Sequence, residues 1–268
     1  MRPSAEAQAS MTSGGRRAGT VCLLQAAEPP GMLDAVVREL GKVAEVVVAR
    51  LPGFDGSPIP KAFSSVDDLA YSQLDYLEKH NLQGVVLVGV SFAAWVALEM
   101  AVRSTERISH LVIGNAFGVR TGHPLDQPIA DIYAMDPQEL RAAMFADESL
   151  RSWSIGDMTD EQVLCFTRGQ EAQVLLGWNR YMHNPVLGRW LNRIAVPSLV
   201  LWGEDDGVVA SSIGRHLVDE LPNAVFSAIE GAGHYPHIER PDVFAQRIAQ
   251  FAGLSELTDV QEPAGEKK

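Results

Sequence analysis

The chain has 268 residues, 46% of them apolar, and carries 34 acidic against 22 basic side chains for a formal net charge of -12. That length and apolar content supply the core of one α/β domain, whereas the acidic balance argues against nucleic acid and anionic membrane surfaces as partners, since both are gripped by clustered positive charge. Two cysteines, Cys22 and Cys165, are too few for a disulfide framework, and no apolar run approaches the length of a spanning helix.

In chain order, residues 1–18 are small and polar and are expected to be disordered. Arg16-Arg17 ahead of Val21-Cys22-Leu23-Leu24 has the look of a twin-arginine export signal. The apolar run stops at Gln25, however, and its removal would delete a strand, so cytoplasmic residence is expected. Apolar runs predict strands over Thr20 to Leu24, Val43 to Arg50, Val85 to Val90, Ser109 to Gly114, Ser198 to Trp202 and Val225 to Ile229. Amphipathic spacing predicts helices over Met32 to Leu40, Val66 to Lys79, Phe92 to Arg103, Ser212 to Leu221 and Pro241 to Phe251. Short buried strands alternating with helices imply a doubly wound, mostly parallel sheet with helices on both faces. The alternation stops between Gly118 and Leu191, where Phe145, Trp153, Phe166, Trp178, Tyr181 and Trp190 sit amid helical patterning. The expected organisation is a leader 1–18, a core formed by 19–117 and 192–252, a helical insertion 118–191 and a disordered tail 253–268.

Gly89-Val90-Ser91-Phe92-Ala93 falls where a buried strand turns into a helix. A serine at such a turn projects its Oγ clear of the sheet, and the next amide, that of Phe92, points into the same space. Ser91 therefore reads as a nucleophile and Phe92 as an oxyanion donor, with a plain helix N-cap as the other reading of the serine. Ala93 stands where G-x-S-x-G has its last glycine. Downstream, Gly203-Glu204-Asp205-Asp206 places carboxylates at the end of a strand, and Gly231-Ala232-Gly233-His234-Tyr235-Pro236 places a histidine in a glycine-flanked loop. Serine, acid and histidine then follow in the chain order of α/β-hydrolases.

From about Thr20 to Ala252 the chain resembles that superfamily, in its capped, serine-nucleophile branch. The segment Gly231 to Pro241 resembles G-x-G-H-x-P-x-x-E-x-P, and Leu51-Pro52-Gly53-Phe54-Asp55-Gly56-Ser57 resembles the PGFGxS loop with Asp55 in place of a glycine. The resemblance implies Ser91 as nucleophile, Asp206 as the acid in preference to Asp205, His234 as base, and residues 118–191 as a cap over the serine. It also exposes departures. Gln25-Ala26 replaces His-Gly, so that Ala27 inherits the second oxyanion amide by alignment, and a left-handed backbone at these alanines would carry a penalty that glycine avoids. Arg50 stands where aspartate is frequent, and Tyr235 stands where carbon-carbon hydrolases of the superfamily carry tryptophan. The antiparallel strand pair with which family members usually begin is expected to be missing, which would leave an edge for polar side chains or a partner subunit and makes a homo-oligomer compatible with the chain.

The implied activity is hydrolysis of a small, largely apolar ester, lactone or ketone-type substrate through an acyl-enzyme. The altered loop keeps two alternatives open: a lyase or cofactor-independent oxygenase on the same fold, and a non-catalytic ligand-binding homologue. The expected partner is a small-molecule substrate, with no nucleic acid, no membrane and no cofactor. No metal is expected either, because His237, three residues after His234, has no partner at ligand spacing, and His80, His110, His123, His183 and His216 have none. The pocket residues are not legible in the sequence.

Overall fold

The computed structural model describes residues 19–121, 128–178 and 181–254. The expected leader, the tail beyond Leu254 and His123 lie outside the described residues. Elements in chain order are β1 (Thr20–Gln25), α1 (Asp34–Leu40), β2 (Glu45–Arg50), α2 (Val66–Lys79), β3 (Val85–Val90), α3 (Phe92–Arg103), β4 (Ile108–Gly114), α4 (Pro137–Met144), α5 (Asp160–Gly177), β5 (Ser198–Gly203), α6 (Ser211–Glu220), β6 (Ala224–Ile229), α7 (Pro236–Glu239) and α8 (Pro241–Ala252). The six strands form one sheet in the order β2-β1-β3-β4-β5-β6. Every pairing within it is parallel.

Successive strand residues point to opposite faces, so each strand feeds two cores. Leu24, Leu87, Ile113 and Val200 pack with α2, α3 and α6, whereas Leu23, Val86, Val88, Val112 and Leu201 pack with α1 and α8. With both faces covered, β3 and β5 are buried at all their positions, which is why they read as unbroken apolar runs. The chain winds from β1 outward to β2 and then returns to the other side of β1 as β3. This reversal makes the β1/β3 boundary a topological switch point, where the loops leaving two carboxyl ends diverge and open a crevice.

Several boundaries differ from the sequence reading by one or two residues, and for two of them the reason is identifiable. The predicted second strand begins at Val43, but the amides of Val43 and Ala44 bond back to the Leu40 carbonyl, so the turn after α1 consumes them and β2 starts at Glu45. At the other end, Gly253 closes α8 in the left-handed region (φ 64°), and Leu254 packs into the core beside α1 and α8. Both were assigned to the tail by composition alone.

Between β4 and β5 the chain leaves the sheet and forms α4, α5 and short 3-10 helices at Glu148–Ser152, Ile155–Asp157 and Leu187–Arg193. Both α4 and α5 start with reciprocal capping boxes, Asp136 with Glu139 and Thr159 with Gln162, which fix their first turns. Among the described residues, no helix is long and apolar enough to cross a membrane.

Candidate active site

Ser91 joins β3 to α3 with φ 58° and ψ -123°, a backbone conformation a non-glycine residue adopts only when its surroundings impose it. The imposition is visible: the Ser91 amide donates to Gly114 O on β4 at 2.9 Å, and its carbonyl accepts from Ala94 at 3.1 Å. A Cβ on Gly89 would lie 2.5 Å from the Ala93 carbonyl oxygen, so the first glycine of the motif is obligatory. Ala93, by contrast, carries its methyl in the core with no exposure.

His234 leaves β6 in a loop and reaches Ser91 across the top of the sheet, with Nε2 2.7 Å from Oγ. Its Nδ1 lies 3.0 Å from Asp206 Oδ2 and 3.2 Å from Oδ1. Asp205, one residue earlier, is exposed and makes no such contact. The Asp206 carboxylate accepts further hydrogen bonds from the amides of Val208 (2.7 Å) and Val209 (3.0 Å) and from Asn115 Nδ2 (2.7 Å). The three residues singled out by the motif reading thus converge, and Nδ1 facing a carboxylate leaves Nε2 to face the serine.

Asn115 was missed in the sequence. It is fully buried at the end of β4, with φ 42°; its Oδ1 accepts from Gly203 N at 3.2 Å while its Nδ2 holds Asp206. A lone polar residue closing a buried strand, ahead of Ala116-Phe117, was the available signal. Glu239 was quoted only as part of a motif. Its carboxylate accepts from Gly233 N (2.5 Å) and Asp147 N (2.8 Å), tying the histidine loop to the β4–β5 insertion, and the His234 amide donates to Met144 O in the same insertion at 2.8 Å.

The divergent loop after β1 resolves into two local solutions. Arg50 Nε donates to Gln25 Oε1 at 3.1 Å, so the residues replacing the family's aspartate and histidine are partners of one another. Glu28, a charge among alanines and prolines, folds back so that its Oε2 accepts from Ala26 N at 2.9 Å. Neither Ala26 nor Ala27 is among the positive-φ residues, so the left-handed penalty anticipated for them does not arise. Burial pushes the Glu28 carboxyl up to about 7, against the lowering effect of the Glu28 and Ala26 amides and of His234. Its Oε1 lies 4.0 Å from His237 Nε2. Burial pushes that imidazole down to about 3, and neither ring nitrogen has a hydrogen-bond partner among the described residues. Tyr235 is also buried. Desolvation lifts its phenol far above the ordinary range, Glu28 adds to this, and an interaction with the Ser91 side chain opposes it.

Two cavities meet at Ala27 and Phe166. One, of about 390 Å³, extends from Ala27 and Tyr235 into the insertion past Tyr133, Met144, Trp153 and Ile155. The other, of about 270 Å³, lies beside Gln25, Glu28, Arg50 and Cys165. Cys22 is buried in β1 with its thiol pushed up to about 12 by desolvation, as befits a core residue.

Residues 28–247 match the family model described as alpha/beta hydrolase family. The chain belongs to this family. As an alpha/beta hydrolase it is an enzyme of hydrolase type. A 2-hydroxy-6-oxononadienedioate/2-hydroxy-6-oxononatrienedioate hydrolase from Paraburkholderia phymatum is 28% identical over 233 residues, 78% of this chain and 76% of the relative. Among solved structures, a bacterial membrane phospholipase A superposes with a TM-score of 0.73 at 20% identity, covering 91% of this chain and 81% of that one. The meta-cleavage product hydrolase of Pseudomonas fluorescens IP01 superposes with a TM-score of 0.71 at 19% identity, covering 88% and 91%. Alpha/beta hydrolases acting on such different molecules share this fold, so substrate must be argued from the site.

Proposed function

We propose that this alpha/beta hydrolase is a serine-dependent hydrolase of a small, largely apolar carbonyl substrate, an ester, lactone or ketone, and that residues 118–191 serve as its cap. The observation that carries the reading is the continuous contact from Ser91 Oγ through His234 to Asp206, at 2.7 and 3.0 Å, beside an apolar cavity of about 390 Å³. Ser91 Oγ attacks the carbonyl carbon as its proton passes to His234 Nε2. Asp206 holds the Nδ1 proton and stabilises the imidazolium. The tetrahedral intermediate collapses with that proton going to the leaving group, and water, deprotonated in turn by His234, releases the acyl group.

The negative charge of the intermediate falls between two backbone amides in this reading. Phe92 opens α3, whose first amides have no intrahelical acceptor. In the loop after β1, the Ala26 amide is committed to Glu28, and Ala27, which borders both cavities, supplies the other donor. The relative named for hydrolysis of 2-hydroxy-6-oxononadienedioate supports a ketone-type substrate within this class.

Steady-state turnover of aryl esters by the wild-type chain and by Ser91→Ala, with circular dichroism on both, tests the proposal. The variant is expected to fold and to lose turnover; a folded variant that retains it removes Ser91 from the mechanism.

A further inference from the structure

Glu28 is 6% exposed, and its carboxylate lies between its own loop and the His237 ring, with Oε1 4.0 Å from Nε2. Burying a carboxyl is costly unless its oxygens are used, and one of them is: Oε2 accepts from Ala26 N at 2.9 Å. The proposed chemistry gives this carboxyl no proton to move. Its place beside Ala27 suggests a different task, since Ala26, Ala27 and Glu28 all line the smaller cavity.

The hydrogen bond acts on the residue between its ends. It closes a ring that runs from Ala26 N along the backbone to Glu28 Cα and back through the side chain. The Ala26–Ala27 peptide, which carries the Ala27 N–H, is a member of that ring. Backbone hydrogen bonds hold the loop on either side, from Leu51 N to Gln25 O at 3.1 Å and from Met32 N to Pro29 O at 3.3 Å. In that interval the backbone of Ala26 is held by Glu28. Neither alanine has a positive φ, and their Cβ atoms disfavour the left-handed region. The freedom left is rotation of the Ala26–Ala27 peptide plane about its flanking bonds, the motion that turns the Ala27 N–H toward an oxyanion or away from it.

We propose that Glu28 is a positioning residue of the oxyanion hole: by holding Ala26 N, its Oε2 orients the Ala27 amide toward the oxygen of a carbonyl under attack by Ser91. The inference rests on the reading of the site as a serine hydrolase with Ala27 as second donor, and deepens it. A loop without the family's glycine keeps a preorganised donor because a side-chain hydrogen bond sets its conformation. The role belongs to the acceptor oxygen and not to the charge, so glutamine can fill it and methionine, of similar length, cannot.

Three variants of the full chain test this, each checked for folding by circular dichroism. Glu28→Met keeps the buried length and removes the acceptor, Glu28→Ala removes both, and Glu28→Gln keeps both. Aryl-ester kinetics are measured beside the Ki of an aryl boronic acid, whose boron bonds Ser91 Oγ to give a tetrahedral adduct like the intermediate. Glu28→Met is expected to lose about 10²–10³ in kcat, as for one missing oxyanion donor, with KM little changed and the boronic acid weakened by a comparable factor. Glu28→Gln should recover most of both losses. A role in packing alone would lower Tm without this split between kcat and KM. A folded Glu28→Met or Glu28→Ala protein with wild-type kcat and Ki overturns the inference, as does a Glu28→Gln protein that loses as much as Glu28→Met. Fluorophosphonate labelling of the wild type separates the two claims. A labelled Ser91 with turnover intact in Glu28→Met sinks this inference alone, while an unlabelled wild-type Ser91 sinks the hydrolase reading and the role of Glu28 with it.

Discussion

Asp205 and Asp206 are chemically identical neighbours, and the end of β5 separates them. Asp206 turns inward to two amides, Asn115 and His234, while Asp205 faces solvent. Asp206→Asn should lower kcat by a factor on the order of 10⁴, because an amide no longer fixes the imidazole tautomer; Asp205→Asn should leave it near the wild-type value. Equal losses would mean that the pair acts through bulk charge. Glu28 offers a prediction in stability. Its folded-state value, raised from 4.5 to about 7, stabilises the folded chain fully below pH 4.5, and that contribution is lost as pH rises toward 7. At most about 3 kcal/mol is involved. His237, lowered from 6.5 to about 3, works the other way, with its contribution complete above pH 6.5 and lost on acidification. Comparing wild type with Glu28→Gln by denaturant unfolding isolates the first effect. The variant's relative stability should increase from pH 4.5 to 7, and parallel stability curves would show that Glu28 does not titrate there.

At the scale of elements, the site depends on close approach of backbone to backbone. A Cβ on Gly203, at the end of β5, would lie 2.0 Å from the Gly233 carbonyl oxygen, immediately before His234. Gly203→Ala must therefore push the histidine loop away from Ser91. We expect a lower Tm, with a loss of about 1–3 kcal/mol as for overpacked cores, and a larger proportional loss of turnover. Gly188→Ala, with open space around its Cβ position, is the control. A Gly203→Ala protein with wild-type turnover would show that the loop is not seated by this contact. Strands β3 and β5 were legible because burial on both faces leaves unbroken apolar runs, and Ser91 was legible because a strand-turn-helix needs Gly89. Less local features were hidden. The Gln25–Arg50 pair joins residues on β1 and β2 that only the parallel register brings together, and Glu28 folding onto Ala26 depends on a loop conformation that composition does not encode. The insertion was recognised by the failure of alternation, yet its contacts with the histidine loop, Asp147 to Glu239 and His234 to Met144, join segments far apart in the chain.

Over the whole molecule, a parallel sheet brings three distant loops to its carboxyl edge: the one after β1 at the switch point, the Ser91 turn after β3, and the His234 loop after β6. The helical insertion supplies most of the wall of the apolar cavity above them. Under the proposed function this arrangement separates tasks, with the reacting groups on the sheet and most of the cavity wall on an element that can vary independently. The central claim is that His234 and Asp206 activate Ser91 for attack. Treatment of the full chain with a fluorophosphonate, followed by peptide mass spectrometry, tests it before any substrate is known. The account predicts one covalent adduct, located on Ser91, forming rapidly in the wild type and not in His234→Ala. An unmodified Ser91 in the folded wild-type chain, or an adduct that forms equally fast without His234, would contradict it.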